Sequence, residues 1–265
     1  MSENKGRRVV MAVLVTIAII LLYFLVFAEP LAPELSTVPR WKVELISDFR
    51  SRHDASETGW RAFSAGDQYG YYTPDGKIAF IADAPGGAPV SDASFVSRDP
   101  GEQIPSLKKP SGEVIGRLAS ESPFFSNERL FSAEGDGTGV SAYDAGGNRL
   151  WSYMFPCQLS AFAAGDELVV GGTIDGWLEG VHPDGSKAFS IAPGGSRLAV
   201  ILGLGVSKSG NWVAAVSGID RQRLVVLGRG GTDYRIASHT YLETDYREPV
   251  KVIVMDDDRD RKSVV

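Results

Sequence analysis

The pattern of apolar and polar residues divides the chain into two regions. Residues 9–27 form one uninterrupted run without a charged side chain, VVMAVLVTIAIILLYFLVF. At about 1.5 Å per helical residue this run spans roughly 28 Å, close to the ~30 Å hydrocarbon core of a bilayer. The run therefore predicts one transmembrane helix, whereas no later segment shows a helical period of useful length.

After this run, short apolar stretches alternate with turn residues. The segment Tyr71-Tyr72-Thr73-Pro74-Asp75-Gly76-Lys77-Ile78 is typical of a strand, a tight turn and a strand, and we expect Asp-Gly to supply the positive φ angles of a two-residue hairpin. The same motif recurs four times, the last time loosely. If one glycine marks each copy, the intervals are 36, 35, 38 and 46 residues, between Gly76, Gly112, Gly147, Gly185 and Gly231.

Each interval has room for four short strands. In the clearest copy the candidates are 159–163, 168–173, 177–182 and 187–191, and in the next they are 202–206, 212–217, 223–227 and 234–238. Four strands every ~40 residues predict an all-β fold, a β-propeller of four-stranded blades. About five blades fit into 56–259, so we expect an incomplete ring. The alternative, a β-sandwich or barrel, would not return the same hairpin at near-constant spacing.

The flanks of the apolar run predict its orientation. Lys5, Arg7 and Arg8 precede it and Glu29 and Glu34 follow it, so the positive-inside bias leaves residues 1–8 in the cytosol. The run at 9–27 is then a signal-anchor, 28–55 a linker, and the propeller lies in the periplasm or outside the cell. The alternative is a signal peptide cleaved after Ala28, but the apolar run exceeds the usual length of about 7 to 15 residues.

The last six residues, Asp260-Arg261-Lys262-Ser263-Val264-Val265, match the translation of a widely used sequencing adapter. The hypothesis is that 260–265 is an artefact, that the chain is a fragment, and that the natural protein continues past about Arg259. The alternative is a natural polar tail.

The charge excludes one class of partner, and the cysteine count limits how the fold is stabilised. Residues 28–265 carry 24 basic and 32 acidic side chains, an excess that argues against a nucleic-acid partner. Cys157 is the sole cysteine, so the fold rests on an apolar core rather than on an internal disulfide. We expect Cys157 to be a small buried apolar residue.

One copy of the turn resembles a known repeat. Asp144-x-x-Gly147-x-x-x-Trp151 is similar to the repeat of quinoprotein-like (pyrroloquinoline quinone-type) propellers, although it is one residue shorter between aspartate and glycine. The equivalent positions hold Phe80 and Phe189 in two other copies. The resemblance implies that Trp151 packs between neighbouring blades. The enzymes of that family hold pyrroloquinoline quinone and calcium, many of them beside a vicinal disulfide, which one cysteine excludes. We therefore expect no cofactor.

No catalytic, cofactor-binding or metal-binding residue is predicted. His53, His182 and His239 lack the spacing of a zinc site, and the acidic run 256–258 is typical of a solvated turn. The sequence favours a non-catalytic, membrane-tethered scaffold module that binds a protein or an envelope component. The alternative is an enzyme, a hydrolase or a quinone-dependent oxidoreductase, whose site lies partly in missing blades.

Overall fold

The structure is a computed structural model that describes residues 7, 11, 13–20, 22, 23, 39, 41–44, 59–99, 101–120, 122–243 and 246–256. Two compact units divide the chain, Met1–Arg40 and Trp41–Val265. The second unit therefore begins inside the segment predicted to be a linker.

The described residues of the first unit between positions 7 and 23 are helical and exposed. Within the part of the chain that the structure describes, no helix meets the length and apolarity needed to cross a bilayer. Positions 9, 10, 12, 21 and 24–27 of the predicted span lie outside the described residues. The transmembrane helix is thus not supported here and stays a prediction.

The second unit is built from antiparallel strands whose chain neighbours are also sheet neighbours. Its described residues form 18 strands in five sheets. The first two sheets have three strands each, and the other three have four. The strands are β1 (Arg61–Ala65), β2 (Gln68–Tyr72), β3 (Ile78–Asp83), β4 (Phe95–Ser97), β5 (Ser106–Lys108), β6 (Val114–Arg117), β7 (Pro123–Ser126), β8 (Arg129–Ala133), β9 (Gly139–Tyr143), β10 (Arg149–Met154), β11 (Leu159–Ala164), β12 (Val169–Thr173), β13 (Leu178–Val181), β14 (Lys187–Ile191), β15 (Ile201–Val206), β16 (Trp212–Ser217), β17 (Arg223–Gly230) and β18 (Asp233–Tyr241).

The sheets follow one another as the blades of a propeller. The first strands of consecutive four-stranded sheets contact each other, β7 with β11 and β11 with β15, as they do when first strands surround a common axis. We call the sheets blades 1 to 5 in chain order. The predicted all-β propeller is therefore confirmed, with about five blades as expected. No ladder joins blade 5 to blade 1 among the described residues.

Blades 1 and 2 depart from the predicted four strands. In blades 3 and 4 the glycine turn lies between the third and fourth strands, whereas in blades 1 and 2 it lies between the second and third of their three strands. The strand that blades 1 and 2 lack is therefore the first strand. Before blade 2 the chain reads Pro85-Gly86-Gly87-Ala88-Pro89. Proline lacks the N–H that a ladder needs. Instead of a first strand paired along its length, this segment forms one isolated bridge, between Val90 and Phe95.

The turns also differ in detail from the expected two-residue hairpin. Gly185 has a φ of 86°, whereas Asp184 does not adopt a positive φ. The Gly185 N–H donates to the His182 carbonyl at 2.9 Å, and the His182 N–H donates to the Ser186 carbonyl at 2.8 Å. This is the longer hairpin loop with a glycine bulge, and the aspartate contributes through its side chain rather than its backbone.

The core lies between the blades. Fully buried aliphatic residues of blades 4 and 5 pack face to face in the largest cluster, including Leu168, Leu178, Ile201, Val213 and Leu227. The inner strands are buried on both sides, as along β12 and β16, whereas the outermost strand β18 is mostly exposed. Blade stacking, rather than any single sheet, therefore excludes water.

Candidate interaction surfaces

The propeller presents two faces with different chemistry. The loops between the second and third strands of a blade, and those that lead to the next blade, lie at one end of the strands, which we call the loop face. The remaining turns lie at the other end, the turn face. In blade 4, β12 connects the two faces, because it begins just after Glu167 and ends just before Ile174.

Three large apolar side chains are exposed together on the loop face. Ile174 is 48 % exposed, Trp177 40 % and Leu198 58 %. A Cβ built at Gly176, between the first two, would lie 1.9 Å from the carbonyl oxygen of Ala199, so the loop that carries Leu198 lies directly on this turn. We call Ile174, Trp177 and Leu198 the apolar rim.

Backbone hydrogen bonds hold the rim in place. The Ile219 N–H donates to the Leu198 carbonyl at 3.0 Å, and the Gly218 N–H donates to the Val200 carbonyl at 2.8 Å. On the other side the Ile174 N–H donates to the Gln158 carbonyl at 3.0 Å. Because backbone hydrogen bonds hold both loops in place, little ordering entropy is lost when a partner binds them.

An ion pair borders the rim. Arg197 Nε lies 3.2 Å from Asp220 Oδ2, and the Ser196 hydroxyl donates to the same carboxylate. The Ser196 hydrogen bond first, and then the Arg197 guanidinium, lower the pKa of Asp220 to about 2. The carboxylate is therefore charged at neutral pH and orients the loop that carries Leu198.

The turn face is polar and acidic. In blade 3 the Asn148 side chain donates to Asp144, and in blade 4 the Ser186 hydroxyl donates to Asp184 at 2.6 Å. These hydrogen bonds are the largest cause of the lowered pKa of both carboxyls. The aspartates are committed to shaping their own turns, as in Asx turns.

Trp151 joins blades 3 and 4 at the turn face. Its Nε1 donates to the Pro183 carbonyl at 2.8 Å, and a Cβ built at Gly185 would lie 2.8 Å from Trp151 Cβ. The side chain is partly buried and packs on the core cluster around Phe131. The inter-blade packing expected of Trp151 is present, although the indole is less deeply buried than a core aromatic.

A second link joins the same blades through a buried carboxylate. Glu179, whose side chain is 4 % exposed, lies 2.6 Å from Lys187 Nζ on its own sheet. Tyr153 of β10 donates its hydroxyl to Glu179 Oε2 at 3.1 Å. Burial, and then the Glu179 charge, raise the pKa of Tyr153 to about 12. The buried carboxylate is thus paired and hydrogen-bonded, as a buried charge must be. Its two partners lie on different blades.

A cavity lies where the regular blade packing fails, between blades 1 and 2. It measures about 480 Å³ and is lined by aromatic side chains that include Trp60, Phe80 and Phe95. Phe80 holds the position that Trp151 holds in blade 3, but it points into the aromatic cluster around Tyr71. Gly112 of the facing turn consequently has no neighbour within 4 Å of a built Cβ.

The histidines, the cysteine and the acidic run that the sequence analysis weighed as reactive or metal-binding groups do not form a common site among the described residues. His182 lies on the turn face and His239 on the outer strand β18, beside Tyr241, while His53 is outside the described residues. Cys157 is partly exposed rather than buried. Asp256 accepts the Ser209 N–H at 2.9 Å. Over the described ranges, no group of three or more histidine, cysteine or acidic side chains is placed to hold a metal ion.

The apolar rim was not predicted from the sequence. Trp177 lies in the predicted strand 177–182, whereas Ile174 and Leu198 lie between predicted strands. A signal was present, since three large apolar residues lie within three positions of the glycines Gly176 and Gly195, in loops rather than in strands. Their proximity, however, depends on how two blades stack.

Comparison with known proteins agrees with this architecture. An uncharacterised protein of Treponema pallidum (strain Nichols) is 28 % identical over 254 residues, which cover 91 % of this chain and 66 % of that protein. The chain thus spans slightly less than two thirds of that relative's length.

Two solved structures share the fold at low sequence identity. A structure of Kluyveromyces marxianus Hsv2 matches with a TM-score of 0.56 at 15 % identity, over 74 % of this chain and 70 % of the other. A chain in the crystal structure of the mitotic checkpoint complex matches with a TM-score of 0.54 at 12 % identity, over 74 % and 65 %. The model of one protein family matches residues 2–260, and the chain therefore belongs to the beta-propeller protein family.

Proposed function

We propose that this protein is a membrane-tethered, extracytoplasmic β-propeller that acts as a non-catalytic scaffold and binds a protein partner through the apolar rim. The observation that carries the proposal is the joint exposure of Ile174, Trp177 and Leu198 on two hydrogen-bonded loops. Aromatic and aliphatic side chains held rigidly at a surface are the typical anchors of protein interfaces.

The surroundings of the rim favour a protein partner over other ligands. The Arg197–Asp220 pair borders the apolar side chains, as polar rims border the centre of protein interfaces. Propellers of this fold also occur in protein assemblies, since one similar chain is part of the mitotic checkpoint complex. The acidic turn face and the acidic excess of 28–265 disfavour nucleic acid.

The tether and the extent of the protein complete the proposal. The apolar run 9–27 anchors the chain with residues 1–8 in the cytosol, and the propeller lies in the periplasm or outside the cell. The natural chain continues past about Arg259, in keeping with the greater length of the Treponema pallidum relative. The turn from Asp144 to Trp151 and the bond from Trp151 to Pro183 support a quinoprotein-like repeat.

Site-specific photo-crosslinking in cells tests the rim. A photoreactive residue at Ile174 is compared with one at Glu167, which is exposed at the opposite end of β12. We expect a discrete crosslinked protein from Ile174 and none from Glu167, and we expect Trp177→Ser with Leu198→Ser to abolish it. Equal crosslinking at both positions, or none at Ile174, would overturn the proposal.

Cysteine labelling in whole cells tests the tether. In a Cys157→Ser background, single cysteines replace Asn4 and Lys208, whose side chain is 76 % exposed on blade 5. An impermeant reagent should label position 208 and not position 4. The reverse result would place the propeller in the cytosol, and equal labelling after membrane lysis serves as the control.

A further inference from the structure

A tryptophan side chain covers the glycine turn of a blade at two places in the structure. Trp151 Nε1 donates to the Pro183 carbonyl at 2.8 Å, and Trp41 Nε1 donates to the Pro74 carbonyl at 3.2 Å. Each proline is followed two residues later by a glycine with positive φ. A Cβ built at that glycine would lie 3.0 Å from Cγ of the tryptophan in both places. The indole thus lies directly against the glycine and binds the proline carbonyl.

Blade 2 has the same turn without a tryptophan. Among the described residues no backbone donor reaches the Pro110 carbonyl, and no neighbour lies within 4 Å of a Cβ built at Gly112. Phe80 holds the position of Trp151 on the preceding blade, but its ring packs on Phe95, with the ring centroids 5.3 Å apart. The space that an indole occupies at blade 4 is therefore free at blade 2.

This space belongs to the cavity between blades 1 and 2. Pro110 and Gly112 line the cavity together with the aromatic side chains of Trp60, Phe80 and Phe95. Its volume of about 480 Å³ is in the range typical of small-molecule sites. Aromatic rings pack well against other aromatic rings, so the walls suit a ligand that is itself aromatic.

Two buried polar atoms of the wall lack a hydrogen-bond partner. They are Trp60 Nε1 and Ser97 Oγ, each without a partner among the described residues, and both residues line the cavity. Buried polar groups are rarely left unpaired. An indole N–H can only donate, and a hydroxyl can also donate. The wall is therefore short of an acceptor, which a ligand would bring.

The charges at the cavity favour an anionic ligand. Lys108 Nζ lies 2.7 Å and 2.8 Å from the two carboxylate oxygens of Asp99, so these two charges neutralise each other. Arg98 also lines the cavity, is exposed, and makes no ion pair within the part of the chain that the structure describes. One positive charge next to Ser97 is thus available, and a guanidinium binds a carboxylate with two parallel hydrogen bonds.

We infer that this cavity binds a small aromatic carboxylate whose ring carries an N–H donor. The ring takes the place of the absent tryptophan beside Gly112, and its N–H donates to the Pro110 carbonyl. The carboxylate accepts from Arg98 and supplies the acceptor that Ser97 lacks. Such a ligand joins blades 1 and 2 where the protein's own packing does not. The site is independent of the apolar rim, which lies on the loops of blade 4 and before blade 5.

Calorimetric titration with three probes tests the site. The probes are indole-3-acetate, indole-3-acetamide, which lacks the charge, and 1-methylindole-3-acetate, which lacks the ring N–H. In detergent solution the full chain should bind indole-3-acetate about tenfold or more tightly than either relative, because each relative has lost one hydrogen bond or charge-assisted pair. Equal affinities for the three probes, or no binding of indole-3-acetate, would overturn the inference.

Two substitutions locate the bound probe. Ala79→Phe puts a ring into the cavity from β3 and should abolish binding, and the heat that remains measures uptake by the detergent. Arg98→Gln changes an exposed side chain, so the fold is kept, and it should lower the affinity for indole-3-acetate to that for indole-3-acetamide. Arg235→Gln, exposed on β18 of blade 5, is the matched control and should change neither affinity.

The same variants separate this site from the proposed partner surface. An Ala79→Phe protein that melts like the wild type and still binds indole-3-acetate, or an Arg98→Gln protein that keeps the preference for the carboxylate, would overturn the inference. Crosslinking from Ile174 does not involve blades 1 and 2. Failure of the cavity and failure of the proposed partner are therefore distinguishable.

Discussion

Trp151 and Pro183 belong to different blades, and the indole of one donates a 2.8 Å hydrogen bond to the carbonyl of the other. The contact places the ring against Gly185, whose missing side chain leaves the room that the indole fills. A tryptophan on one blade and a glycine turn on the next therefore work as a pair. The same pair recurs as Trp41 and Gly76, where it links the start of the compact unit to blade 1.

Loss of the Trp151 ring should destabilise the propeller. Trp151→Ala removes the contact with the Phe131 cluster and the inter-blade hydrogen bond, and we expect a loss of about 3 kcal/mol in the free energy of unfolding. Trp177→Ala serves as the control, because that ring is exposed and should change stability by no more than about 0.5 kcal/mol. Urea unfolding of both variants measures the difference, and equal losses would contradict the role given to Trp151.

Gly185 and Gly112 form a matched pair for separating backbone strain from packing. Both have a φ of 86°, so an alanine at either site costs about 1 kcal/mol in backbone conformation. A Cβ at Gly185 would also lie 2.8 Å from Trp151 Cβ, whereas Gly112 has nothing within 4 Å. Gly185→Ala should therefore lose about 1 to 3 kcal/mol more than Gly112→Ala. Chemical unfolding of the two variants side by side would show it, and equal values would mean that the indole moves away freely.

The hydrogen bond from Tyr153 to Glu179 should make stability fall at high pH. The pKa of Tyr153 is raised from 10.0 to about 12 in the folded protein, so the unfolded chain loses this proton first. The contribution is complete below pH 10 and is lost as the pH rises towards 12. Tyr153→Phe should cost about 0.5 to 1.5 kcal/mol at pH 7. The difference from wild type should shrink above pH 10, and a difference constant to pH 12 would contradict this assignment.

The sequence contains enough to predict the blades that follow the repeat closely. Turn glycines and the short, largely apolar stretches between them predict β14 and β16 at their observed bounds, 187–191 and 212–217. These features are local, since a turn requires a particular φ and a strand a two-residue period. The sequence also contains the reason why blade 2 lacks its first strand, because Pro85 and Pro89 have no N–H to donate to a ladder.

Other features depend on how the blades stack, which the spacing of residues along the chain does not show. Leu198 and Trp177 form one surface because the loop before blade 5 lies on the turn of blade 4. The role of Trp41 is recognisable only beside Pro74, 33 residues away. Glu179 looks like a surface charge within an alternating strand, yet Tyr153 and Lys187 allow it to be buried. Contacts between blades are thus what sequence spacing alone does not provide.

Acid should weaken the loop next to the apolar rim through Asp220. Its folded pKa of about 2 lies below the usual value of 3.8, mainly because of the Ser196 hydroxyl. A lowered folded pKa means that the unfolded chain binds the proton first, so the contribution is complete above about pH 4 and is lost as the pH falls towards 2. Asp220→Asn should therefore be less stable than wild type at pH 6 and nearly equal to it at pH 2. Ser196→Ala removes the largest cause of the shift, and in that background Asp220→Asn should have a smaller effect at pH 6. Thermal melts of the four proteins across this range give both comparisons, and a wild-type advantage that persists at pH 2 would show that Asp220 holds the loop by its shape rather than by its charge.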